Sequence, residues 1–242
     1  GDAGGFLVPE EFRAQLLSLS LEDAVVRPRA FVLPMTTSQM RIPAVRDTTH
    51  ASTTYGGVRG YWTAESASYT ASEPTFSSVA LTATKLTGYT SASDELLADS
   101  AISLEALLIR LFSEAIAYFE DDSFINGVGS GQPVGILNAD ALITVAKETG
   151  QAASTIVYEN IINMWSRLHP RSKSSAVWVV HPDTFPQLAQ MSLNVGTGGS
   201  PMWIANAAGG APNSLFGRPI IESEKCQTLG TAGDIFLVDL SY

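Results

Sequence analysis

The sequence predicts an α+β protein, and three features of the chain lead to that prediction. Residues 47–93 interleave serine and threonine with aromatic and apolar residues that favour β-strands. Residues 103–126 carry apolar side chains at intervals of three and four, as a buried helix face does. From about residue 138 onward, short apolar strands alternate with short helices, which predicts a compact α/β arrangement in the second half.

A first helix is predicted near the amino end of the chain. Pro9 is followed by two glutamates, and both proline and acidic residues are favoured in a first helical turn. Phe12 begins the apolar stripe of this helix, and Pro28 predicts that the helix has ended by residue 27. Short extended segments bounded by prolines are expected to follow at residues 31–35 and 41–45.

The serine- and threonine-rich region is predicted to form a long two-stranded excursion. Its turn is expected at or near Tyr55-Gly56-Gly57, because a glycine pair between β-forming residues favours a tight hairpin turn. An isolated hairpin is only marginally stable in water. A polar and aromatic hairpin of this length therefore requires a partner surface.

The strongest helix is predicted over residues 103–126, after a short helix at residues 94–100. At this length it would measure about 36 Å, which is long for a globular protein and suits a spine across a flat domain. Acidic runs at helix ends, including residues 120–122, are expected to be solvated or to complement the helix dipole. Its buried face is predicted to carry Leu104, Leu107, Leu108, Leu111, Phe112, Ala115, Ile116 and Phe119.

The second half is predicted to contain three strands and two helices. The helices are expected at residues 158–168 and 183–189, and a loop rich in glycine and alanine at residues 194–214. The strands are expected at residues 176–181, 219–222 and 234–239.

A glycine-rich stretch, NGVGSGQPVGILN at residues 126–138, follows the long helix. Its glycine spacing does not match the G-x-G-x-x-G pattern of dinucleotide-binding loops, and it follows a helix where those loops precede one. The stretch is instead predicted to be a structural turn that ends the helix. Gly127 is expected in the left-handed conformation, and Pro133 is expected to stiffen the turn.

Composition excludes several classes of function. The formal net charge is −10, with 14 basic and 24 acidic residues, and the lysines are scattered, so a protein that grips nucleic acid by its phosphates is not expected. Only 16% of residues are charged, which is typical of a chain that buries part of its surface against partners. No apolar run approaches the roughly 18 residues that a membrane span requires.

Candidate catalytic and metal-binding residues are few and widely separated. The three histidines, His50, His169 and His181, lie far apart in the sequence and predict no metal site. His181 precedes Pro182 and is expected to serve as a cap or a packing residue more than as a base. Cys226 is the only cysteine, so neither an intrachain disulfide nor a cysteine-based zinc site is possible. No catalytic residues, cofactor or metal are therefore predicted.

Six stretches, taken in order, resemble the major capsid proteins of tailed bacteriophages, which have the Hong-Kong-97-type capsid fold. The most specific is the acidic helix end followed by the glycine-rich loop, and together the stretches cover essentially the whole chain. They are residues 4–12, 60–100, 117–138, 177–185, 215–223 and 234–242.

The resemblance implies four regions. Residues 1–34 correspond to an N-terminal arm, and residues 35–86 to an extended loop, a β-hairpin laid over the next subunit. Residues 87–137 correspond to a peripheral domain that contains the spine helix at 103–126. Residues 138–242 correspond to an axial domain, and the family's C-terminal return segment is expected to be absent from these residues.

The resemblance also implies a function. It predicts a structural, non-enzymatic subunit that self-assembles as pentamers and hexamers into an icosahedral head around double-stranded DNA, in the cytoplasm of the bacterial host. Expected partners are other copies of the chain, a portal, a scaffold or a maturation protease, and packaged DNA bound without sequence specificity, with no membrane. Two alternatives remain: an encapsulin-like nanocompartment shell, and a soluble α/β hydrolase that uses His181 and Asp183.

Candidate interface residues follow from the resemblance and from residue type. Aromatic residues dominate protein interfaces, and Trp62 is expected to contact either a neighbouring subunit or its own hairpin. Some relatives join subunits through a lysine on the extended loop, but no lysine lies between Arg41 and Thr84, which predicts non-covalent contacts at this loop. The interface candidates are Phe6, Phe12, Tyr55, Arg59, Tyr61, Trp62, Glu65 and Glu73, and the turn candidates are Gly127, Gly129, Gly131, Pro133 and Gly135.

Overall fold

The chain divides into two compact units, which we call the hairpin unit (Leu33–Thr84) and the sheet unit (Gly1–Val32 with Lys85–Tyr242). The computed structural model describes residues 24–45, 54–55, 58–74, 76–91, 104–193, 200–201 and 214–241. The helices predicted near Pro9 and at residues 94–100, and most of the loop predicted at residues 194–214, lie outside the described residues.

The hairpin unit consists of antiparallel strand pairs. Strand β1 (Gln39–Val45) pairs with β4 (Phe76–Thr82), and the short strands β2 (Thr54–Tyr55) and β3 (Val58–Arg59) pair at the far end. The predicted two-stranded excursion is therefore confirmed, and the two glycines of its predicted turn, Gly56 and Gly57, lie outside the described residues. The unit spans nearly the same residues as the predicted extended loop.

One face of this ribbon is more apolar than the other. Side chains along β1 alternate between exposed and half-buried, as expected for a pleated strand. Met40 lies opposite Leu81, and Ile42 lies opposite Val79, so four apolar side chains share one face. Val79 nevertheless remains 51% exposed, because a ribbon of two strands has no second layer of its own to cover this face.

Helix α1 (Leu104–Asn126) begins one residue from the predicted start and ends at the predicted residue. The predicted buried face is wrong in part. Leu111, Ile116 and Phe119 are 42%, 46% and 57% exposed, whereas Ile125 near the helix end is fully buried. The physical reason is that the helix is apolar around much of its circumference, and its described residues in or against the core cluster, Phe124 and Ile125, lie at its carboxyl end.

A four-stranded mixed sheet forms the centre of the sheet unit. Its strand order is β10 (Ile235–Val238), β5 (Val177–Val180), β9 (Arg218–Glu222) and β8 (Ser214–Leu215). Strands β5 and β9 are parallel, and the other pairs are antiparallel. The three strands predicted from sequence are confirmed, each with small shifts at its ends.

Two helices and three short 3₁₀ turns accompany this sheet. Helix α2 (Tyr158–Arg167) and helix α3 (Phe185–Gln190) confirm the two predicted helices. Single 3₁₀ turns cover Ile136–Asn138, Pro170–Ser174 and Pro182–Thr184. A further short strand pair joins β6 (Ser192–Leu193) to β7 (Ser200–Pro201).

Strand β5 is buried on both faces, and each face belongs to a different apolar cluster. Val177 and Val179 belong to a cluster that also includes Ile125 of α1. Trp178 and Val180 belong to a second cluster with residues of α2 and α3. The indole N–H of Trp178 donates to the carbonyl oxygen of Leu215 at 3.0 Å, so this buried polar group is satisfied. The alternation of side chains along β5 thus joins the two layers of the core.

Candidate assembly surfaces

The predicted aromatic anchors lie on the hairpin unit and face solvent. Trp62 is fully exposed, at 105% of its reference area, and Tyr61 is 47% exposed. Trp62 therefore does not pack against its own hairpin in the single chain. Tyr69 at 89% and Phe76 at 69% are also exposed, and sequence reasoning did not select them as interface candidates. That these rings contact a neighbouring subunit stays a prediction.

The predicted acidic candidates occupy the same segment. Glu65 and Glu73 are exposed, and Glu65 lies in a turn that is closed by a hydrogen bond from the Ala67 N–H to the carbonyl oxygen of Ala64. The backbone N–H of Arg59 donates to the hydroxyl of Ser72 at 3.0 Å, and this hydrogen bond brings the two ends of residues 59–72 together. Of the remaining candidates, Phe6 and Phe12 lie outside the described residues, and for Tyr55 only the backbone is described.

The glycine-rich loop is a compact turn at the carboxyl end of α1. Gly129 and Gly131 have positive φ angles of 79° and 72°, but Gly127 does not, so the prediction of a left-handed Gly127 is wrong. Gly127 is required for a different reason: a Cβ atom there would collide with the carbonyl oxygen of Pro133. The Gly135 N–H donates to the carbonyl oxygen of Gly127 at 2.8 Å and holds the two arms of the turn together.

Side-chain amides fasten this loop to the rest of the sheet unit. The Asn138 amide donates to the carbonyl oxygens of Asn126 and Gly127, each at 3.0 Å, and so satisfies acceptors left open at the helix end. The Asn126 amide donates to the carbonyl oxygen of Lys225 at 2.7 Å, and the Gln227 amide donates to Asn126 at 2.8 Å. The loop is therefore a structural joint between α1 and the sheet. Its position at the carboxyl end of the helix, where the helix dipole is negative, also disfavours binding of a phosphate there.

An ion pair lies in the core beneath this joint. The Lys225 Nζ is 3.0 Å from the Asp121 Oδ2, and the two side chains are 0% and 1% exposed. The Asp121 carboxylate also accepts the backbone N–H groups of Val25 and Val26 at 2.9 and 2.7 Å, and the Lys225 ammonium lies 5.1 Å from the centre of the Tyr118 ring. The prediction that the 120–122 acids are solvated is wrong for Asp121, because tertiary partners supply compensating charge and hydrogen bonds.

The Asp121 carboxylate also anchors residues 24–31 to the sheet unit. Val25 and Val26 are buried in the cluster that contains Ile125. Arg27 pairs with Glu120 at the surface, and the Phe31 N–H donates to the carbonyl oxygen of Leu240 at 3.0 Å. Residues 24–31 are thus held on the sheet unit at several points.

Two histidines, His169 and His181, serve as caps, and His50 lies outside the described residues. His181 and His169 each precede a proline, and each accepts a backbone N–H through Nδ1: that of Asp183 at 3.1 Å and that of Arg171 at 3.3 Å. Both therefore begin a 3₁₀ turn, which agrees with the capping role expected for His181. Among the described residues, no group of three or more potential ligands is placed to hold a metal ion.

A basic cluster with an aromatic base lies on the sheet unit, and sequence reasoning missed it. Arg167, Arg171 and Lys173 fall within seven residues at the end of α2 and in the following 3₁₀ turn. The Lys173 ammonium lies 5.4 Å from the centre of the Trp165 ring, and the Arg218 guanidinium donates to the carbonyl oxygen of Ser174. The spacing R-x-x-x-R-x-K is present in the sequence, but the scattered lysines by themselves do not reveal it, because two of the three cations are arginines.

Known structures share this fold. The capsid of a native GTA particle, computed with C5 symmetry, superposes with a TM-score of 0.80 at 21% sequence identity, over 99% of this chain and 81% of that chain. Structures from Gordonia phage Cozz and Mycobacterium phage Cain give TM-scores of 0.61 and 0.60 at 14% and 12% identity. These two matches cover 97% and 98% of this chain and 74% of each of those chains. The fold is therefore a mixed α+β fold that these structures share.

The sequence itself assigns the family. The model of the phage capsid family matches residues 4–242, so the chain belongs to that family. It is accordingly a major capsid protein with a structural role in an icosahedral virion capsid. A comparison with curated proteins finds no matching sequence. None of the described helices combines the length and apolar character that a membrane span needs.

Proposed function

We propose that this chain is a major capsid subunit of the Hong-Kong-97 type that assembles as pentamers and hexamers into a head around double-stranded DNA. The observation that carries the proposal is the hairpin unit, whose apolar side chains lie open on both faces. Val45 and Phe76 are opposite each other on one face and are 56% and 69% exposed, and Val79 on the other face is 51% exposed. A two-stranded ribbon of this kind gains stability only when another surface covers it.

The proposed regions keep the boundaries expected from the sequence. Residues 1–34 act as the arm, 35–86 as the extended loop, 87–137 as the peripheral domain and 138–242 as the axial domain. Two features support this division: the separate hairpin unit Leu33–Thr84, and the loop that joins α1 to the sheet. The exposed apolar residues of α1 supply a second surface that a neighbouring subunit can cover.

The proposed contacts at the extended loop are non-covalent. The loop carries no lysine between Arg41 and Thr84, so it offers no amine for an isopeptide bond in that stretch. Trp62 is the proposed anchor, with Tyr61 beside it, because large aromatic side chains provide much of the binding energy at interfaces. A portal, a scaffold and a maturation protease are proposed as further partners during assembly in the host cytoplasm.

Particle size is the first test of this proposal. Light scattering after size exclusion, followed by electron microscopy, is expected to show closed shells with five- and six-fold clusters. DNA inside the shells identifies a phage head, whereas protein cargo identifies an encapsulin-like compartment. A protein that stays monomeric at all concentrations, also when flanking segments are included, contradicts the proposal.

A pair of variants locates the contact on the hairpin unit. Trp62→Ala is expected to raise the protein concentration needed for assembly by about tenfold or more, since a buried tryptophan anchor contributes about 2 kcal/mol or more to binding. Thr63→Ala, at the adjacent exposed position, is the matched control and is expected to assemble as the wild type does. Equal behaviour of the two variants contradicts the role of Trp62.

A further inference from the structure

The sheet unit carries cations that have no acidic partner within the described part of the chain. We call Arg167, Arg171, Lys173 and Arg218 the basic patch. Described ion pairs with carboxylates engage Arg27, Arg110 and Lys225, but none engages a residue of the basic patch. The Asp239 carboxylate lies next to the 3₁₀ turn Pro170–Ser174, where it accepts the Ser175 hydroxyl at 2.8 Å. Four cations without a described ion pair nevertheless indicate a surface for an anionic partner in a chain of net charge −10.

The basic patch lies beside aromatic rings. The centres of the Trp165 and Phe216 rings are 5.6 Å apart, and the centres of the Phe216 and Tyr158 rings are 6.1 Å apart. Lys173 lies over Trp165, and Phe216 is 40% exposed. The partner of this surface is therefore expected to combine carboxylates or phosphates with apolar or aromatic groups.

The hairpin unit presents a segment with the complementary properties. Residues 60–74 contain Glu65 and Glu73 and no lysine or arginine. Both glutamates are exposed, and the same segment exposes Trp62 and Tyr69 almost completely. The segment thus offers carboxylates and aromatic rings together, which matches the basic patch in charge and in apolar character.

We propose that the basic patch of one copy binds segment 60–74 of a second copy, with Glu65 and Glu73 paired to its cations. This inference rests on the proposed function, because it requires a shell of identical subunits. The contact is heterologous, since two different surfaces of the same chain meet, and contacts of that kind close into rings when the rotation permits. In this proposal, segment 60–74 binds a surface of the neighbouring copy that is formed by α2, the 3₁₀ turn Pro170–Ser174 and the β8–β9 turn.

Charge reversal tests this pairing. Arg171→Glu with Lys173→Glu, and separately Glu65→Lys with Glu73→Lys, are each expected to raise the concentration required for assembly by about tenfold or more. Combining all four changes is expected to restore assembly, because the attraction returns with its sign exchanged. Wild-type shells together with no recovery in the combined variant overturn the inference while leaving the proposed function intact. Absence of wild-type shells, also when flanking segments are included, refutes the proposed function itself.

Disulfide trapping provides a second, independent readout. Cys226 is buried and is the only native cysteine, so introduced pairs can be followed on a nearly cysteine-free background. Glu73→Cys combined with Lys173→Cys is expected to give disulfide-linked oligomers in assembled shells and none in unassembled subunits. Glu73→Cys combined with Lys147→Cys, an exposed cation elsewhere on the sheet unit, is the control and is expected to give none. Equal trapping by both pairs overturns the inference.

The phosphate backbone of DNA is the competing anion. If the basic patch faced packaged DNA, Arg171→Glu with Lys173→Glu would leave shell assembly unchanged and lower the DNA content of the particles. That result would overturn the inference. Loss of assembly in buffer free of nucleic acid supports it, because no DNA is then available to be repelled.

Discussion

Replacing Asp121 with asparagine is expected to destabilise the subunit severely. The change preserves the size of the side chain but removes the negative charge that lies 3.0 Å from the Lys225 ammonium, a group that is 0% exposed. Asparagine also retains only one acceptor oxygen, so it cannot serve Lys225 and the backbone N–H groups of both Val25 and Val26 as the carboxylate does.

The expected magnitude follows from this geometry. At 3.0 Å and an effective dielectric constant of about 20, the attraction between the two charges is about 5 kcal/mol. Removing one partner of a buried ion pair costs about 3–5 kcal/mol in the free energy of unfolding. Because domains are stable by about 5–15 kcal/mol in total, Asp121→Asn is expected to lose a large part of the stability of the subunit.

Urea unfolding of unassembled subunits, followed by circular dichroism, measures the loss. Glu120→Gln is the matched control, since Glu120 is the adjacent residue of α1 and pairs with Arg27 at an exposed site, where ion pairs contribute about 0–1 kcal/mol. Asp121→Asn combined with Lys225→Met is expected to recover stability relative to Asp121→Asn alone, because it also removes the buried ammonium whose nearby carboxylate was lost. Equal losses in Asp121→Asn and Glu120→Gln would refute the reasoning.

Three further predictions concern the joint, the β8–β9 turn and the response to acid. Gly127→Ala is expected to lower the free energy of unfolding by about 1–3 kcal/mol, measured by heat or urea, because the new Cβ collides with backbone oxygens. Gly131→Ala is expected to cost less, since its Cβ meets open space and only its positive φ costs about 1–2 kcal/mol. A larger loss in Gly131→Ala contradicts this prediction. Phe216→Asn is expected to gain about 1–2 kcal/mol of stability, because asparagine tolerates the φ of 50° better than phenylalanine does. The change also loses two ring contacts of about 0.5–1.5 kcal/mol each and the apolar burial of the ring, so a net loss of stability is expected. A clear gain in stability contradicts this prediction. Burial raises the pKa of Asp239, but hydrogen bonds from Ser241 and the Ser175 hydroxyl outweigh this effect and hold the pKa below 3.8. The ionised carboxylate therefore stabilises the fold above pH 3.8, and this stabilisation is lost as the pH falls through the lowered pKa. Asp239→Asn is therefore expected to be less stable than the wild type near neutral pH and to converge with it in acid, and a difference independent of pH contradicts the assignment.

Much of the local structure could be predicted from sequence because its causes are local. Helix α1 follows from the spacing of its apolar residues, and the strand pair β2–β3 follows from a glycine pair between β-forming residues. The strands β5, β9 and β10 are short apolar runs bounded by turns. In each case neighbours within a few residues decide the conformation, so one sequence suffices.

The burial of α1 could not be predicted in the same way. Its apolar residues extend around much of the helix, and periodicity alone does not say which of them the chain itself covers. Ile125 meets the core cluster, whereas Ile116 and Phe119 remain exposed in the single chain. Exposure of this kind depends on the partners of the helix, which lie elsewhere in the chain or on another subunit.

By itself, the sequence determined the long helix α1, the hairpin, the strands β5, β9 and β10, and the capsid family, because these depend on residue patterns along the chain. Only the tertiary structure decided the role of Asp121, whose partner Lys225 is 104 residues away. It likewise showed that Gly127 is needed for close backbone approach, since the colliding oxygen of Pro133 is brought there by the fold. Contacts between distant residues depend on how the chain returns on itself, and residue spacing carries no direct record of that path.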